Sequence, residues 1–139
     1  MRLLISEFIC GGGMQHDPLP VHLKQEGLAM LQAVLRDCIA IDDLSLITTL
    51  DSRLELAPDI QSAAALESKT LQADESYIDC LKRLSLDVDV VLLIAPESDD
   101  LLAEFIAQLE DLQVRHLNCT SQSIAHCADK LKCEQTLAA

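Results

Sequence analysis

The feature that most constrains this chain is a repeated alternation of two hydrophobic periods. Short aliphatic runs of strand length recur, and between them lie segments whose apolar residues return every three or four positions. Arg2–Ile9 is apolar, β-prone and closed by Gly11–Gly13. Val21–Cys38 follows the prolines Pro18 and Pro20 and puts Leu28, Leu31, Val34, Leu35 and Cys38 on one helical face. Leu44–Leu50 reads as a second strand stopped by Asp51 and Ser52, and Glu75–Leu84 as a helix capped by Asp74. Val88–Ile94 is the strongest strand, ended by Ala95, Pro96 and Glu97. Ser98–Leu112 is a further amphipathic helix, and Val114–Cys119 a last strand. Thr120 and Ser121 then cap a final helix that runs to the C-terminus. Between Arg53 and Ala73 the pattern weakens, leaving room for a short helix around Ile60–Leu66 and a short strand around Lys69–Ala73.

This alternation predicts an α/β fold: a Rossmann-like three-layer sandwich with a mostly parallel sheet of four or five strands, in one domain over residues 1–139. The composition agrees where it matters. Half the residues are hydrophobic but only 2% are aromatic, so the core must be aliphatic, as a parallel sheet buried on both faces requires. In such sheets ligands bind beyond the carboxyl ends of the strands. That rule places Cys10–Met14, Asp51, Pro96, Glu97, Thr120 and Ser121 on one rim.

Charge and cysteine content exclude several classes. Ten basic and 23 acidic residues give a formal charge of −13, which repels nucleic acid and anionic membranes. The six cysteines form no CxxC pair and read as reduced thiols of a cytoplasmic protein, with no disulfide and no bound metal expected. The apolar start Leu3–Ile5 is broken by Ser6 and Glu7, unlike a signal peptide. The longest apolar run, Val90–Pro96, is far short of a membrane span.

The chemical motifs are modest. Three glycines after a strand could bring backbone N–H groups to a ligand. The third glycine of a dinucleotide fingerprint is missing, although Asp51 could mimic its ribose-binding acid. His116, Cys119, His126 and Cys127 cluster in sequence but lack the paired spacing of a zinc site, and read as packing and surface residues. Neither GxSxG nor a Walker sequence is present, and no catalytic residue is assigned.

The stretch from Ser121 to Lys130 carries more. Ser121, Ser123, Ala125, Asp129 and Lys130 follow the Ser-x-x-(x)-Ala…Asp-Lys pattern of the helix that ends the N-terminal domain of ATP-grasp ligases. Glu7–Gly13, Leu50–Leu54 and Ile94–Glu97 resemble, in the same order, segments of a subgroup that includes tyramine–glutamate ligase. The resemblance implies the N-terminal, pre-ATP-grasp domain of a carboxylate–amine ligase, inactive by itself, with an ATP-binding domain downstream. It implies ATP and magnesium as cofactors of the whole enzyme, and small carboxylate and amine substrates. It puts Lys130 against the nucleotide, and Gly11, Gly12, Gly13, Asp51, Glu97 and Ser121 on the substrate rim. Cys133–Ala139 is helical in composition and lacks a stop signal, as expected of a cut inside a longer polypeptide. An uncovered domain surface would then favour homodimers. The competing readings are a free-standing Rossmann-like ligand-binding or regulatory module, and a purely structural domain.

Overall fold

The chain, as a computed structural model, is described for residues 1–72 and 74–137, with Lys132 and Leu137 described by their backbone alone. Four parallel strands form one sheet: β1 (Arg2–Glu7), β2 (Ser45–Thr49), β3 (Leu66–Lys69) and β4 (Val90–Ile94), in spatial order β3-β2-β1-β4. Leu3 pairs with Leu46 on one side of β1 and with Val90 on the other, and Glu7 pairs with Ile94 at the carboxyl end.

The strand period of two sorts β1 between two cores. Leu3 and Ile5 face α1 (Val21–Ile39) and α2 (Pro58–Gln61), packing with Leu31, Leu35 and Ile60. Leu4 faces α3 (Tyr77–Ser85), α4 (Leu101–Asp111) and α5 (Ser121–Ala128), packing with Leu81, Phe105 and Ile106. Helices therefore cover both faces, giving the three-layer α/β sandwich. A last helix, α6 (Lys130–Leu137), packs on α5. The two phenylalanines and the one tyrosine gather at a single point: Phe8 lies 5.2 Å from Tyr77 and 5.7 Å from Phe105 between ring centroids.

Four local expectations need correction. Ser76, not Asp74, caps α3: its hydroxyl accepts the Asp79 N–H at 3.2 Å, while the neighbouring Glu75 turns away to grip Arg83 at 2.7 and 2.8 Å. The short helix is Pro58–Gln61 and the short strand Leu66–Lys69, earlier than the residue pattern suggested. Of the expected strand Lys69–Ala73, Ala73 lies outside the described residues. The expected strand Val114–Cys119 shrinks to one bridge between Val91 and His116. Its cause is local: the Asn118 carboxamide takes the next rung itself, accepting the Leu93 N–H at 3.0 Å and donating to the Leu93 carbonyl at 2.7 Å. A side chain that imitates a peptide group ends the ladder there. Finally, the C-terminal helix is two helices, broken at Asp129 where ψ is 92°, and its expected last residues 138–139 lie outside the described residues.

Cysteine exposure gives a direct check of this packing. Cys10 and Cys80 are buried and Cys119 is exposed. Burial, reinforced by Glu7, pushes the Cys10 thiol up to about 12. Burial, reinforced by Glu75, pushes Cys80 up to about 11. Thiolate is the reactive form, so a short iodoacetamide pulse at about pH 8 should label Cys119 and spare Cys10 and Cys80 until the protein unfolds. Peptide mapping by mass spectrometry reads the result; fast labelling of Cys80 in the native protein would contradict the core described.

Candidate functional site

The strand order reverses at β1. The chain moves outward from β1 to β2 and β3, then returns past β1 to lay down β4. At such a switch point the connections leave in opposite directions and a crevice opens beyond the strand ends. Here it has a volume of about 470 Å³, with apolar walls from Ile9, Leu23, Met30, Ile94 and Pro96. Glu7 and Gly27 form its floor, and Glu26 and Ser98 also line it.

Glu7 is the unexpected element. It ends β1 and is only 1% exposed, a carboxylate sunk between sheet and helix. Its oxygens accept the backbone N–H groups of Ile9 at 3.1 Å and Cys10 at 2.7 Å. These are the first donors of a wide helical turn, Ile9–Gly13, closed by Gly13 N–H donating to the Phe8 carbonyl at 2.9 Å. Gly12 sits in that turn with φ at 104°, a region that side chains resist. Gly27 explains how close α1 comes: a Cβ there would stand 2.5 Å from Glu7 Oε2. Glycine inside a helix costs about 1 kcal/mol relative to alanine, and that cost is accepted where the carboxylate must fit.

The carboxyl end of β2 is tied to the same turn. Asp51 is 3% exposed; its N–H donates to the Cys10 carbonyl at 2.6 Å, and its carboxylate takes Arg53 in a forked pair at 2.9 and 2.6 Å. The Arg53 guanidinium donates onward to the carbonyls of Asp17 at 2.9 Å and Met14 at 2.7 Å. The side-chain hydrogen bonds from Arg53 hold the Asp51 carboxyl below the usual carboxylate range. On the opposite face of the sheet Ser6 Oγ bonds Thr49 Oγ1 at 2.5 Å and Tyr77 Oη at 2.6 Å, and burial pushes the Tyr77 phenol up.

The residues expected on one rim therefore separate. Gly11 and Gly12 are buried within the turn and Gly13 is half-buried. Asp51 lies beneath the loop, bound to Arg53. Ser121 donates its hydroxyl and N–H to Glu110 at 2.5 and 3.1 Å, fixing α5 to α4. Glu97 is exposed and lines a second groove of about 380 Å³ with Asp99, Asp100 and Asp129. Lys130 is exposed and opens α6 instead of standing late in a continuous helix. The side chain of Lys132, two positions on, lies outside the described residues. Glu7, Glu26, Gly27 and Ser98 were absent from the residues expected to contact ligand. The signal was present: an acid ending a fully apolar strand, and a glycine on the inward face of the next helix.

Among the described residues no group of three or more His, Cys, Asp or Glu side chains could hold a metal ion. No helix among them is long and apolar enough to cross a membrane.

Comparison with known proteins agrees with the architecture. The family model of the pre ATP-grasp 3 domain matches residues 44–124, from β2 to α5. No curated protein matches the chain. The crystal structure of a protein from Archaeoglobus fulgidus, described as of the ATP-grasp superfamily, is similar with a TM-score of 0.67. It is 21% identical, with 99% of this chain and 39% of that one covered. At that identity the likeness is one of fold, and this chain spans about two fifths of the other's length.

The clamp on the glycine loop can be tested by stability. Arg53→Ala leaves a buried carboxylate short of donors, a loss of about 1–3 kcal/mol. Because the Arg53 side chain is 39% exposed, the lower end is expected. The folded-state value of Asp51 is depressed, so the pair stabilises above the ordinary Asp value of 3.8 and its contribution is lost as pH falls through the lower folded value. Thermal melts should therefore separate wild type from Arg53→Ala near neutrality and converge in acid. A gap that is constant with pH would show that Asp51 does not carry the effect.

Proposed function

Because the chain belongs to the pre ATP-grasp 3 domain family, we propose that it is the N-terminal, substrate-side domain of an ATP-dependent carboxylate–amine ligase. The family match over residues 44–124 is the observation that carries this reading. The finer likeness, to the subgroup that includes tyramine–glutamate ligase, rests on short motifs whose residues have defined places in the fold. Glu7–Gly13 forms the carboxylate-capped turn, Asp51 and Arg53 clamp it, and Ala95 and Pro96 face it across the crevice.

In the proposed reaction a carboxylate oxygen attacks the terminal phosphorus of ATP and ADP leaves. The amine nitrogen then attacks the resulting acylphosphate carbon, phosphate leaves and a proton is lost. Among the described residues no group of three or more His, Cys, Asp or Glu side chains could hold a metal ion, so carboxylates outside this domain would hold the magnesium that neutralises the phosphate charge. This domain's share is to shape the substrate side: Ile9 of the glycine turn lines the crevice, Glu97 lines the acidic groove, and Asp51 and Ser121 hold their elements in place. Lys130 carries an ammonium on a flexible stem, suited to a phosphate oxygen. A cytoplasmic location fits six thiols without a CxxC pair.

A second reading has one observation in its favour: a crevice of about 470 Å³ opens at the switch point, where this sheet architecture places ligands. A free-standing ligand-binding module would bind a small molecule there and show no ATP-dependent turnover in any longer form.

Lys130 provides the test. In the full-length enzyme Lys130→Ala should raise the KM for ATP and lower the ATP-dependent rate roughly ten- to more than a hundredfold, as expected for loss of one charge-assisted bond. Stability should change by no more than about 0.5 kcal/mol, since Lys130 is exposed. Lys132→Ala is the control. Wild-type kinetics in both variants would remove Lys130 from the nucleotide site, and absence of ATP-dependent amide formation would remove the ligase reading.

A further inference from the structure

We propose that the crevice over Glu7 is an ammonium site, taking the head group of a primary amine whose apolar body lies against Ile9, Leu23, Met30 and Ile94. As a substrate site it rests on the ligase reading and names which of the two substrates this domain receives; as a binding site it stands on geometry alone.

A buried carboxylate without a counter-charge lines this crevice. Glu7 is 1% exposed, and none of the ion pairs among the described residues involves it. Its partners are all neutral, two backbone N–H groups, one on each oxygen, and the Cys10 thiol, and a carboxylate oxygen can accept more than one donor. An ionised group taken from water without a counter-charge is costly. A cation entering the crevice would supply it. The residue that would otherwise stand between crevice and carboxylate is absent: position 27 is glycine, and any Cβ would come within 2.5 Å of Oε2.

The walls then select the kind of cation. An inorganic divalent ion needs six or more oxygen ligands, or a compact octahedral set, and this crevice offers chiefly aliphatic side chains. A phosphate or a carboxylate would meet Glu7 and Glu26 with no basic residue on the lining. An ammonium has three donors; Glu7 accepts one at the floor, and Ser98 and Glu26 stand at the edge. The volume of about 470 Å³ suits a small molecule with an apolar body. The position at the topological switch point is where this sheet architecture places ligands.

Titration of the isotopically labelled chain with hexylamine, followed by amide NMR shifts, tests the site directly. Hexan-1-ol and hexanoate have the same body without the cation. Hexylamine should shift the amides of Ile9, Gly27 and Ala95 saturably, hexan-1-ol should bind at least about tenfold more weakly, and hexanoate should give no saturable shift. Glu7→Gln should weaken hexylamine by about tenfold or more. If that variant fails to fold, Glu26→Lys decides, because Glu26 is exposed on α1 and a cation there should weaken the amine most at low salt. Equal binding of hexylamine and hexan-1-ol, shifts confined to other surfaces, or no saturable binding would overturn the proposal. ATP-dependent ligation in the full-length enzyme that Glu7→Gln leaves unchanged would overturn the substrate role of this site while sparing the ligase reading. Saturable amine binding without any ATP-dependent amide formation would sink the ligase reading and leave the ammonium site standing.

Discussion

The carboxylate of Glu7 decides how the central strand can end. β1 is flanked on both sides by parallel neighbours, and its last residue must turn the chain out of a fully buried sheet. The turn that follows is helical, and helical turns begin with N–H groups that have no partner within the turn. Glu7 reaches forward to two of them, at Ile9 and Cys10. An apolar residue in its place would orphan two buried donors at about 1–3 kcal/mol each. Once the acid is there, α1 can cover it only through a glycine, and Gly27 occupies that point of contact. Strand end, turn and helix approach thus follow from one side chain, and so does the crevice that the approach leaves open.

Two further polar ties secure the same end of the sheet. Arg53 ties Asp51 at the end of β2 to the carbonyls of Met14 and Asp17, beyond the glycines. Ser6, Thr49 and Tyr77 join β1, β2 and α3 on the other face. Buried polar groups are tolerable when every member is satisfied, and no buried side-chain nitrogen or oxygen among the described residues lacks a partner. The polar groups are concentrated at the strand ends, whereas the rest of the sheet is aliphatic. That concentration gives the fold a rigid rim without aromatic packing beyond the one cluster around Phe8.

Much of this was legible in the sequence. The strands β1, β2 and β4 and the helices α1 and α4 carry strong periods, and burial on both sheet faces follows from their uniform aliphatic character. The weaker signals failed for identifiable reasons. Residues 53–73 hold a four-residue helix and a four-residue strand, too short for a period to declare itself. Val114–Cys119 has strand composition, but Asn118 pairs through its side chain and stops the ladder after one bridge. At the site, Asp51 and Ser121 were placed on the ligand rim by the rule that ligands bind beyond the carboxyl ends of the strands. The same position suits a carboxylate to a nearby guanidinium and a hydroxyl to a nearby acid, and Arg53 and Glu110 claim them. Which partner wins depends on distances that sequence order does not carry. Glu7 and Gly27 are 20 positions apart by number and become one feature only when α1 folds back over β1.

The charge distribution adds a last constraint on the kind of ligand this surface can accept. Its formal charge is −13, and Glu97, Asp99, Asp100 and Asp129 share a groove beside α5. Asp99 and Asp100 even adopt left-handed backbone angles, φ 57° and 58°, on the approach to α4. A triphosphate placed in that groove would meet four carboxylates, and cations would be drawn to it. If Lys130 serves a nucleotide, it must do so by extending away from Asp129 and the acidic groove. The same field that disfavours phosphate on this surface concentrates organic cations near it. The nearby crevice has one buried carboxylate and apolar walls, so the electrostatics of the whole domain and the geometry of its switch point favour the same kind of ligand.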